Sequence, residues 1–279
     1  MIRYLSPTSI MDWERCPERF NLVRLQDNWP AREPALARDT GTVFDAYVKC
    51  YLNQMLDFEG LLKGEIEADN QALEVGHTLF LAYKESGALA YLEEEGVAMV
   101  ELDIKRILGG VPIRGKPDII LSDSTVCDWK VNGVGSPRGV SPKPGYSRRI
   151  DYSLSTGMAQ EKIPHKRQND YLEDINHPWA VQLCIYSFLI GKKPGNELMG
   201  GIEQLAIRGA KLAITSYRNK ISKEFQEDLY DKFVDIWDKI QKGWIPIPTP
   251  SKFKCHKYGR ICEVAHLCKG YLNEDTSAW

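Results

Sequence analysis

The segment PDIILSDSTVCDWKVNG, residues 117 to 133, places three chemically active side chains around a predicted pair of β-strands. Asp118 follows a proline, while Asp128 and Lys130 lie two positions apart in an apolar run. Because strand residues two apart share a face, Asp128 and Lys130 project together, and a neighbouring strand brings Asp118 beside them. Two carboxylates can hold Mg²⁺, and a lysine can orient or deprotonate an attacking water. The segment therefore predicts a metal site suited to phosphodiester hydrolysis.

A structural alternative competes with this interpretation, because a hairpin can carry acids at its ends and a lysine on its solvent face. Two features favour the metal site. Asp118 follows an Arg-Gly-Lys-Pro bend, and Asp128 lies within an apolar strand, where a charge needs a partner.

The composition is that of a globular protein large enough to bury a full core. The chain has 279 residues, of which 43% are hydrophobic and 27% are charged. It contains no apolar run of the roughly 20 residues that a membrane span needs, and no apolar signal segment, so we expect a cytoplasmic protein. The net charge of −2 gives no general attraction for nucleic acid, which must then be held by a local patch or through metal ions.

Outside the opening segment, apolar spacing predicts a capped opening helix and further helices over about residues 42–62 and 70–94. Three strands follow as an antiparallel meander, in VAMVELDIKRIL, VPIRGKPDIIL and STVCDWKV. Residues 132–170 are rich in Gly, Pro, Ser and basic residues, which is typical of a mobile loop. A helix at WAVQLCIYSFLIG, a strand pair and a helix over about residues 223–242 precede a cysteine-bearing tail.

The order of these motifs resembles the PD-(D/E)xK nuclease superfamily, and within it the RecB-like branch. The residues that carry the resemblance are G-x-P-D ending at Asp118, D-x-K at Asp128 and Lys130, and Q-x-x-x-Y at Gln182 and Tyr186. An upstream helix has the family's glycine at Gly41 but has Asp45 at the usual histidine position. The resemblance extends from Ser6 to Cys268.

The resemblance implies a single α/β nuclease domain over residues 1–279, with a restriction-endonuclease-like core in which helices flank a mixed central sheet. It implies that Asp45, Asp118 and Asp128 are ligands of Mg²⁺ or Mn²⁺, with Lys130 as the catalytic lysine. The aspartate at position 45 is compatible either with an altered metal preference or with weakened activity.

Three further residues near the predicted site have two possible interpretations each. By resemblance Gln182 and Tyr186 position the active site or DNA, and the alternative is a helix face that packs on the sheet. Glu101 lies on the first strand of the predicted meander, so it can reach the same pocket or be an ordinary exposed acid.

Four cysteines lie near the two ends of the chain, at Cys16 and at Cys255, Cys262 and Cys268. The pattern is similar to the iron–sulfur subgroup of the RecB-like branch, which includes AddB-type and CRISPR-adaptation nucleases. It implies a [4Fe–4S] cluster that staples about residues 6–24 to about residues 244–272. The first tail spacing, C-x6-C, is wider than the cysteine pair usual in that subgroup.

Two alternatives to the cluster remain: a structural Zn²⁺ site that uses the same cysteines with His256 or His266, and cysteines without any metal. Cys50, Cys127 and Cys184 fall in apolar patterns and are predicted to be core residues.

The predicted loop carries four basic residues after the catalytic strand that can follow a phosphate backbone: Arg138, Lys143, Arg148 and Arg149. Lys166 and Arg167 extend this basic stretch, and Tyr146 and Tyr152 are candidates for base stacking. The alternative is a solvated loop with incidental charge.

These features together predict a Mg/Mn-dependent deoxyribonuclease that acts as an exonuclease on single-stranded DNA or DNA ends. The relatives work in recombination, repair, replication or CRISPR adaptation, in a prokaryotic or viral context, beside a helicase or another recombination protein. The sequence has no G-x-x-x-x-G-K-[ST] loop, so an unwinding partner is expected to be separate. The rival hypothesis is a catalytically weakened nuclease fold that binds DNA or protein.

Overall fold

The computed structural model describes residues 2–30, 34–53, 68–142, 148–154, 159–162, 171–247, 251, 255–257 and 260–273. The chain divides into two compact units. The terminal unit consists of Met1–Arg32, Lys105–Gly115 and Glu227–Trp279, and the central unit consists of Glu33–Ile104 and Lys116–Gln226. The prediction of a single domain stays a prediction.

The helices of the described chain are α1 (Pro7–Arg15), α2 (Pro17–Phe20), α3 (Leu36–Leu52), α4 (Asn70–Glu85), α5 (Ala88–Glu94), α6 (Leu172–Leu189), α7 (Lys223–Gln241) and α8 (Lys269–Leu272). The strands are β1 (Val97–Val100), β2 (Ile104–Leu108), β3 (Val111–Gly115), β4 (Ile119–Leu121), β5 (Val126–Asn132), β6 (Arg148–Tyr152), β7 (Ala159–Lys162), β8 (Leu198–Arg208), β9 (Lys211–Ile221), β10 (His256–Lys257) and β11 (Arg260–Ile261). None of the described helices is long and apolar enough to cross a membrane.

A mixed sheet forms the centre of the central unit. Among the described residues it has seven strands in the order β1-β4-β5-β8-β9-β6-β7. The β5–β8 pair is parallel, and the other pairs are antiparallel. Helices α3, α4 and α5 pack on the sheet face that carries Cys127 and Trp129, through Val48, Tyr83 and Leu89 respectively. The predicted α/β fold with a mixed sheet flanked by helices is therefore confirmed.

The predicted antiparallel meander was wrong in part: its three segments pair antiparallel in the predicted order through β1, β4 and β5, but the first two segments are each divided into two strands. Strands β1, β4 and β5 pair in the central sheet, whereas β2 and β3 form a separate hairpin closed at Gly109 and Gly110, which have φ of 57° and 81°. Apolar alternation predicts that a segment is extended, but the partner of each strand depends on residues distant in sequence. In the terminal unit β3 contacts the chain start instead, since Leu5 N donates to Pro112 O at 2.8 Å.

The predicted loop over residues 132–170 was wrong in part, because β6 and β7 lie within it and extend the central sheet. Ile150 and Tyr152 alternate toward the core, and β6 pairs with Ile214–Arg218 of β9. Tyr152 is buried, and its hydroxyl lies 3.0 Å from Ser216 Oγ, so it is a core residue and not a base-stacking one. Tyr146, Lys166 and Arg167 lie outside the described residues.

Three helix predictions need new boundaries. The second predicted helix starts earlier, since α3 spans Leu36–Leu52, and the remainder of the prediction lies outside the described residues. The third is split into α4 and α5 at Gly87, whose φ of 81° is incompatible with a continuous helix. The final helix, α7, ends one residue before the predicted boundary.

A buried polar network ties β5 to the rest of the central sheet. Arg218 Nη1 donates to Glu203 Oε1 at 2.8 Å, and Tyr83 OH donates to Glu203 Oε2 at 3.3 Å. Trp129 Nε1 then donates to Tyr83 OH at 3.4 Å. Glu203 has no exposed surface, so its charge depends on these partners.

We expect Glu203→Leu to reduce the free energy of unfolding by about 3 kcal/mol or more, because it leaves the buried Arg218 guanidinium without one of its carboxylates. The double variant Glu203→Leu/Arg218→Leu should recover part of that loss. Urea unfolding of both variants measures the coupling. A loss in the double variant equal to the sum of the losses in Glu203→Leu and in Arg218→Leu, measured in the same way, would show that the two charges do not depend on each other.

Candidate active site

Strand β5 delivers two of the predicted site residues. Cys127 and Trp129 turn to the apolar core, and the alternation of the strand sends Asp128 and Lys130 to the opposite face. Asp128 is 3% exposed, and its Oδ2 forms an ion pair with Lys130 Nζ. This oxygen has no hydrogen-bond partner. The pairing of the two side chains on one face matches the prediction from their spacing.

Asp118 immediately precedes β4 and is held against β5 by its own carboxylate. Its Oδ2 accepts a hydrogen bond from the backbone N–H of Trp129 at 3.2 Å. Asp118 and Asp128 line the same cavity, and their carboxyls are close enough to interact electrostatically. Burial, and then the nearby Asp118 charge, raise the pKa of Asp128 well above its usual range. The two carboxylates therefore occupy one shared environment.

Helix α3 brings Asp45 to the same place, together with a lysine that the sequence interpretation did not consider. Phe44 and Val48 enter the core, so Asp45 and Lys49 share the neighbouring side of the helix, one turn apart. Lys49 Nζ donates to Asp45 Oδ2 at 2.5 Å and to Asp118 Oδ1 at 3.0 Å. Lys49 thus links the helix to the carboxylate that precedes β4.

The carboxylates around Lys49 place several negative charges close together. Burial, and next the Asp118 carboxylate, raise the pKa of Asp45 to about 7, although Lys49 offsets part of the rise. Burial lowers the pKa of Lys49, but the carboxylates of Asp118 and Asp45 outweigh it, so the net shift is upward. The ammonium of Lys49 is therefore charged and stabilised by its carboxylate neighbours.

Glu101 follows β1 and belongs to the edge of this cluster. Its φ of 49° lies in the left-handed region, and its backbone N–H donates to Asp118 O at 2.8 Å. The Glu101 carboxylate lies 2.5 Å from Lys116 Nζ and 3.7 Å from Lys49 Nζ. Glu101 is therefore neither an isolated strand acid nor a residue of the cavity described below.

Helix α6 contributes Gln182 and Tyr186 from the other side of the sheet. Asn176 has extended φ and ψ of −156° and 92°, and its Oδ1 accepts from Trp179 N at 3.3 Å, which restarts the helix around Pro178. Gln182 then meets β5: its Oε1 accepts from Lys130 Nζ at 2.9 Å, and its Nε2 donates to Asp128 Oδ1 at 2.8 Å.

Tyr186 supports this amide one turn further along the helix. Gln182 Nε2 lies 3.2 Å from Tyr186 OH, and burial raises the pKa of the tyrosine hydroxyl. The pair is thus in contact with the acids and the lysine and is more than a packing face.

A cavity of about 440 Å³ opens over these groups. Asp45, Asp118, Asp128 and Lys130 all line it. Arg38, a residue that the sequence interpretation missed, lines it as well, and its side chain is 44% exposed. The cavity therefore collects three carboxylates, one ammonium and one guanidinium.

The donor chemistry of the cavity fits a hard divalent cation such as Mg²⁺ or Mn²⁺. Asp45 Oδ1 and Asp128 Oδ2 are buried oxygens without a hydrogen-bond partner, and carboxylate oxygen is the ligand that such cations prefer. Within the described part of the chain, however, no group of three or more His, Cys, Asp or Glu side chains is already arranged as a metal site. Lys49 and Lys130 engage the carboxylates instead.

The terminal unit holds the four cysteines of the predicted cluster. Cys16 caps α2, with its Sγ accepting from Arg19 N at 3.5 Å, and Cys268 precedes α8, close enough to Cys16 for their charges to interact. Cys262 and Cys268 pack against an apolar group of Leu22, Val23 and Val264. Cys255 O accepts from Cys262 N at 2.6 Å.

Contacts between the two chain ends do not depend on a metal. Arg19 Nε donates to Glu263 Oε1 at 2.9 Å, and Arg19 also pairs with Asp12. The described residues therefore join the predicted staple segments, while a cysteine-ligated cluster stays a prediction. Cys50, Cys127 and Cys184 are buried, as predicted.

The predicted DNA-binding residues are dispersed. Arg138 is exposed, whereas Arg149 lies in β6 and its Nε donates to Asp151 Oδ1 at 2.5 Å. Arg148 starts β6 and pairs in register with Arg218, and Lys143 lies outside the described residues. The prediction of four basic residues in one loop was therefore wrong for the two arginines of β6.

Comparison with known proteins identifies the family. The model of the PD-(D/E)XK nuclease superfamily matches residues 4–269. This chain belongs to that superfamily. No curated protein sequence matches it.

A solved structure has a similar fold. The crystal structure of a "Putative exonuclease" from Eubacterium rectale matches with a TM-score of 0.55 and 13% identity, over 89% of this chain and 85% of that chain. The crystal structure of SSO0001 is 13% identical over 95% of this chain and 96% of that chain, but its TM-score is 0.30 and it supports no argument.

The raised pKa of Asp45 has a consequence for the stability of the metal-free protein. A carboxyl whose pKa rises on folding stabilises the fold at low pH, and this contribution is lost as the pH rises through about 7. We therefore expect Asp45→Asn to increase the free energy of unfolding at pH 8 by a few kcal/mol relative to the unmodified protein, and by much less at pH 5.

Urea unfolding in the presence of a chelator measures this difference. Asp228→Asn, which removes an exposed carboxylate from α7, is the matched control and should change little at either pH. A loss of stability at pH 8 on removal of the Asp45 charge would contradict the electrostatic interpretation.

Proposed function

We propose that this protein is a Mg²⁺- or Mn²⁺-dependent deoxyribonuclease that cuts phosphodiester bonds in the cavity lined by α3, Asp118 and β5. The observation that carries the proposal is that Asp45, Asp118, Asp128 and Lys130 line one cavity. Membership of the nuclease superfamily supports the reaction class.

In this proposal Asp118 and Asp128 hold the cation, and Asp45 is the third ligand. The cation supplies a water of lowered pKa and positive charge near the phosphorus. Gln182 keeps Asp128 in position by donating to Oδ1, while Oδ2, which has no hydrogen bond, forms an ion pair with Lys130. Asp118 is kept in position by the N–H of Trp129.

Lys130 has the role of the catalytic lysine. Its ammonium lies between Asp128 and Gln182 Oε1, where it can orient the attacking water and stabilise negative charge on the phosphate. Tyr186 steadies Gln182 and thereby the lysine. Arg38, at the cavity, provides a cation for the DNA phosphates.

The substrate class we propose is single-stranded DNA or DNA ends, with exonucleolytic cleavage. The exposed Arg138 in the segment after β5 supports a path for the strand away from the cavity. A similar fold occurs in a protein described as a "Putative exonuclease". A separate helicase or a recombination or CRISPR-adaptation protein is the proposed partner.

We expect end-labelled linear DNA to be degraded in the presence of Mn²⁺, and covalently closed circular single-stranded DNA of the same sequence to persist. Asp128→Asn and Lys130→Met should reduce the rate by a factor on the order of 10² or more, because each removes a group beside the reacting phosphate. The control is Asp228→Asn on α7, which should cleave at the unmodified rate. Separate 5′ and 3′ labels report the polarity.

The result that contradicts the proposal is cleavage that survives Asp128→Asn. Cleavage of the circular single-stranded DNA would support a nuclease but contradict the exonuclease assignment. The rival function, a DNA-binding module without turnover, has its own support in the lysines that engage the carboxylates. It predicts a mobility shift of the labelled DNA with no product in either metal.

We also propose that Cys16, Cys255, Cys262 and Cys268 hold a [4Fe–4S] cluster. Support comes from the proximity of Cys16 and Cys268 and from the link between Arg19 and Glu263, which brings the two cysteine-bearing segments together. The apolar group around Cys262 and Cys268 would shield such a cluster from water.

Protein purified without oxygen should contain about four iron atoms and matching acid-labile sulfide per chain. Cys16→Ala should lose that iron because one of the four thiolates is missing, whereas Cys50→Ala, at a buried core position, should retain it. One zinc per chain and no iron would support the zinc site in place of the cluster. Protein without any bound metal would contradict both the cluster and the zinc site.

A further inference from the structure

The least expected feature of the site is Lys49, a lysine enclosed by acids on the side of α3. Its side chain is 9% exposed. An ordinary helix pair of aspartate and lysine four residues apart lies in solvent and contributes little to stability. Lys49 is instead buried among carboxylates, and a buried ammonium needs a specific environment.

The contacts of Lys49 are those of a cation with its ligands. Three carboxylate oxygens approach Nζ: Asp45 Oδ2 at 2.5 Å, Asp118 Oδ1 at 3.0 Å and Glu101 Oε1 at 3.7 Å. The first two contacts are hydrogen bonds from the ammonium, and Glu101 adds a negative charge at a longer distance. The same carboxylate oxygens would suit a divalent cation.

The remaining carboxylate oxygens divide into two groups. Asp118 Oδ2 and Asp128 Oδ1 are engaged by Trp129 N and Gln182 Nε2. Asp45 Oδ1 and Asp128 Oδ2 have no hydrogen-bond partner. The oxygens around Lys49 are thus already taken by one positive charge, and Asp128 Oδ2 is paired with another, the ammonium of Lys130.

We propose that Lys49 is a positioning residue that occupies one cation position of the active site, so that the protein binds one divalent ion fewer than its carboxylates could hold. The ammonium fixes Asp45 and Asp118 relative to each other and neutralises the inner side of the cluster. The proposal extends the proposed function by setting the number of metal ions at the same site.

The number of ions is the quantity that separates this role from a purely structural salt bridge. A structural role predicts that removal of Lys49 lowers stability and leaves the metal count unchanged. A lysine in a cation position predicts that its removal adds one ion, because the vacated oxygens of Asp45, Glu101 and Asp118 then attract a divalent cation.

The experiment counts Mn²⁺ ions per chain by electron paramagnetic resonance of the free ion, with unmodified protein and Lys49→Met. The variant should bind one more Mn²⁺ than the unmodified protein. Lys211→Met, at an exposed position of β9, removes the same charge outside the cluster and should add none. The thermal midpoint of Lys49→Met without metal should fall and should recover with Mn²⁺ by more than the unmodified protein gains.

The outcomes separate this inference from the proposed function. One bound Mn²⁺ in the unmodified protein and two in the variant support both the role of Lys49 and the metal-dependent nuclease. Counts of zero and one support the role of Lys49 and contradict a metal-dependent nuclease. Equal counts overturn the role of Lys49, and if both counts are at least one they leave the metal-dependent nuclease standing.

A folding control keeps the test decisive. If Lys49→Met does not fold even with Mn²⁺, the count is made on Lys49→Met/Glu101→Gln, which removes one charge of each sign and keeps Asp45 and Asp118. Glu101 is the most distant of the three carboxylates from Nζ, so the predicted gain of one ion still applies. No gain in the double variant overturns the proposal.

Discussion

Negative charge confined beside a buried strand is the constraint on which the site depends. Asp45, Glu101, Asp118 and Asp128 approach one another where the sheet is covered by helices, and such a group cannot remain charged without nearby cations. In the metal-free protein Lys49 and Lys130 supply that charge. The raised pKa of Asp45 and of Asp128 shows that the compensation is incomplete. An added cation would offset part of this negative charge, which is the physical basis of the proposed metal site.

The position of β5 explains how one strand serves both the core and the chemistry. It lies between β4 and β8, with Trp129 connected through Tyr83 to the buried Glu203 and Arg218 network. Burial holds the backbone of β5 in place. Because alternate residues of the same backbone carry Asp128 and Lys130, these two side chains are held in place as well. Gln182 on α6 then fixes the two side chains from the opposite side.

The convergence of Asp118, Asp128 and Lys130 could be predicted from sequence because strand periodicity is a local property. Gln182 and Tyr186 required the resemblance to the family, since a helix face alone gives no indication of its partner. Lys49 was missed because a lysine four residues after an aspartate normally indicates a solvated helix pair. The separate β2–β3 hairpin and the sheet position of β6 were missed because strand partners are set by contacts between distant residues.

The central claim is that a divalent cation binds against Asp118 and Asp128. A crystal structure of the protein soaked with Mn²⁺, with data collected for manganese anomalous scattering, tests it most directly. The account predicts an anomalous peak within coordination distance of both carboxylates. A peak that is absent from this cavity, with Mn²⁺ bound at other acids of the surface, would contradict it.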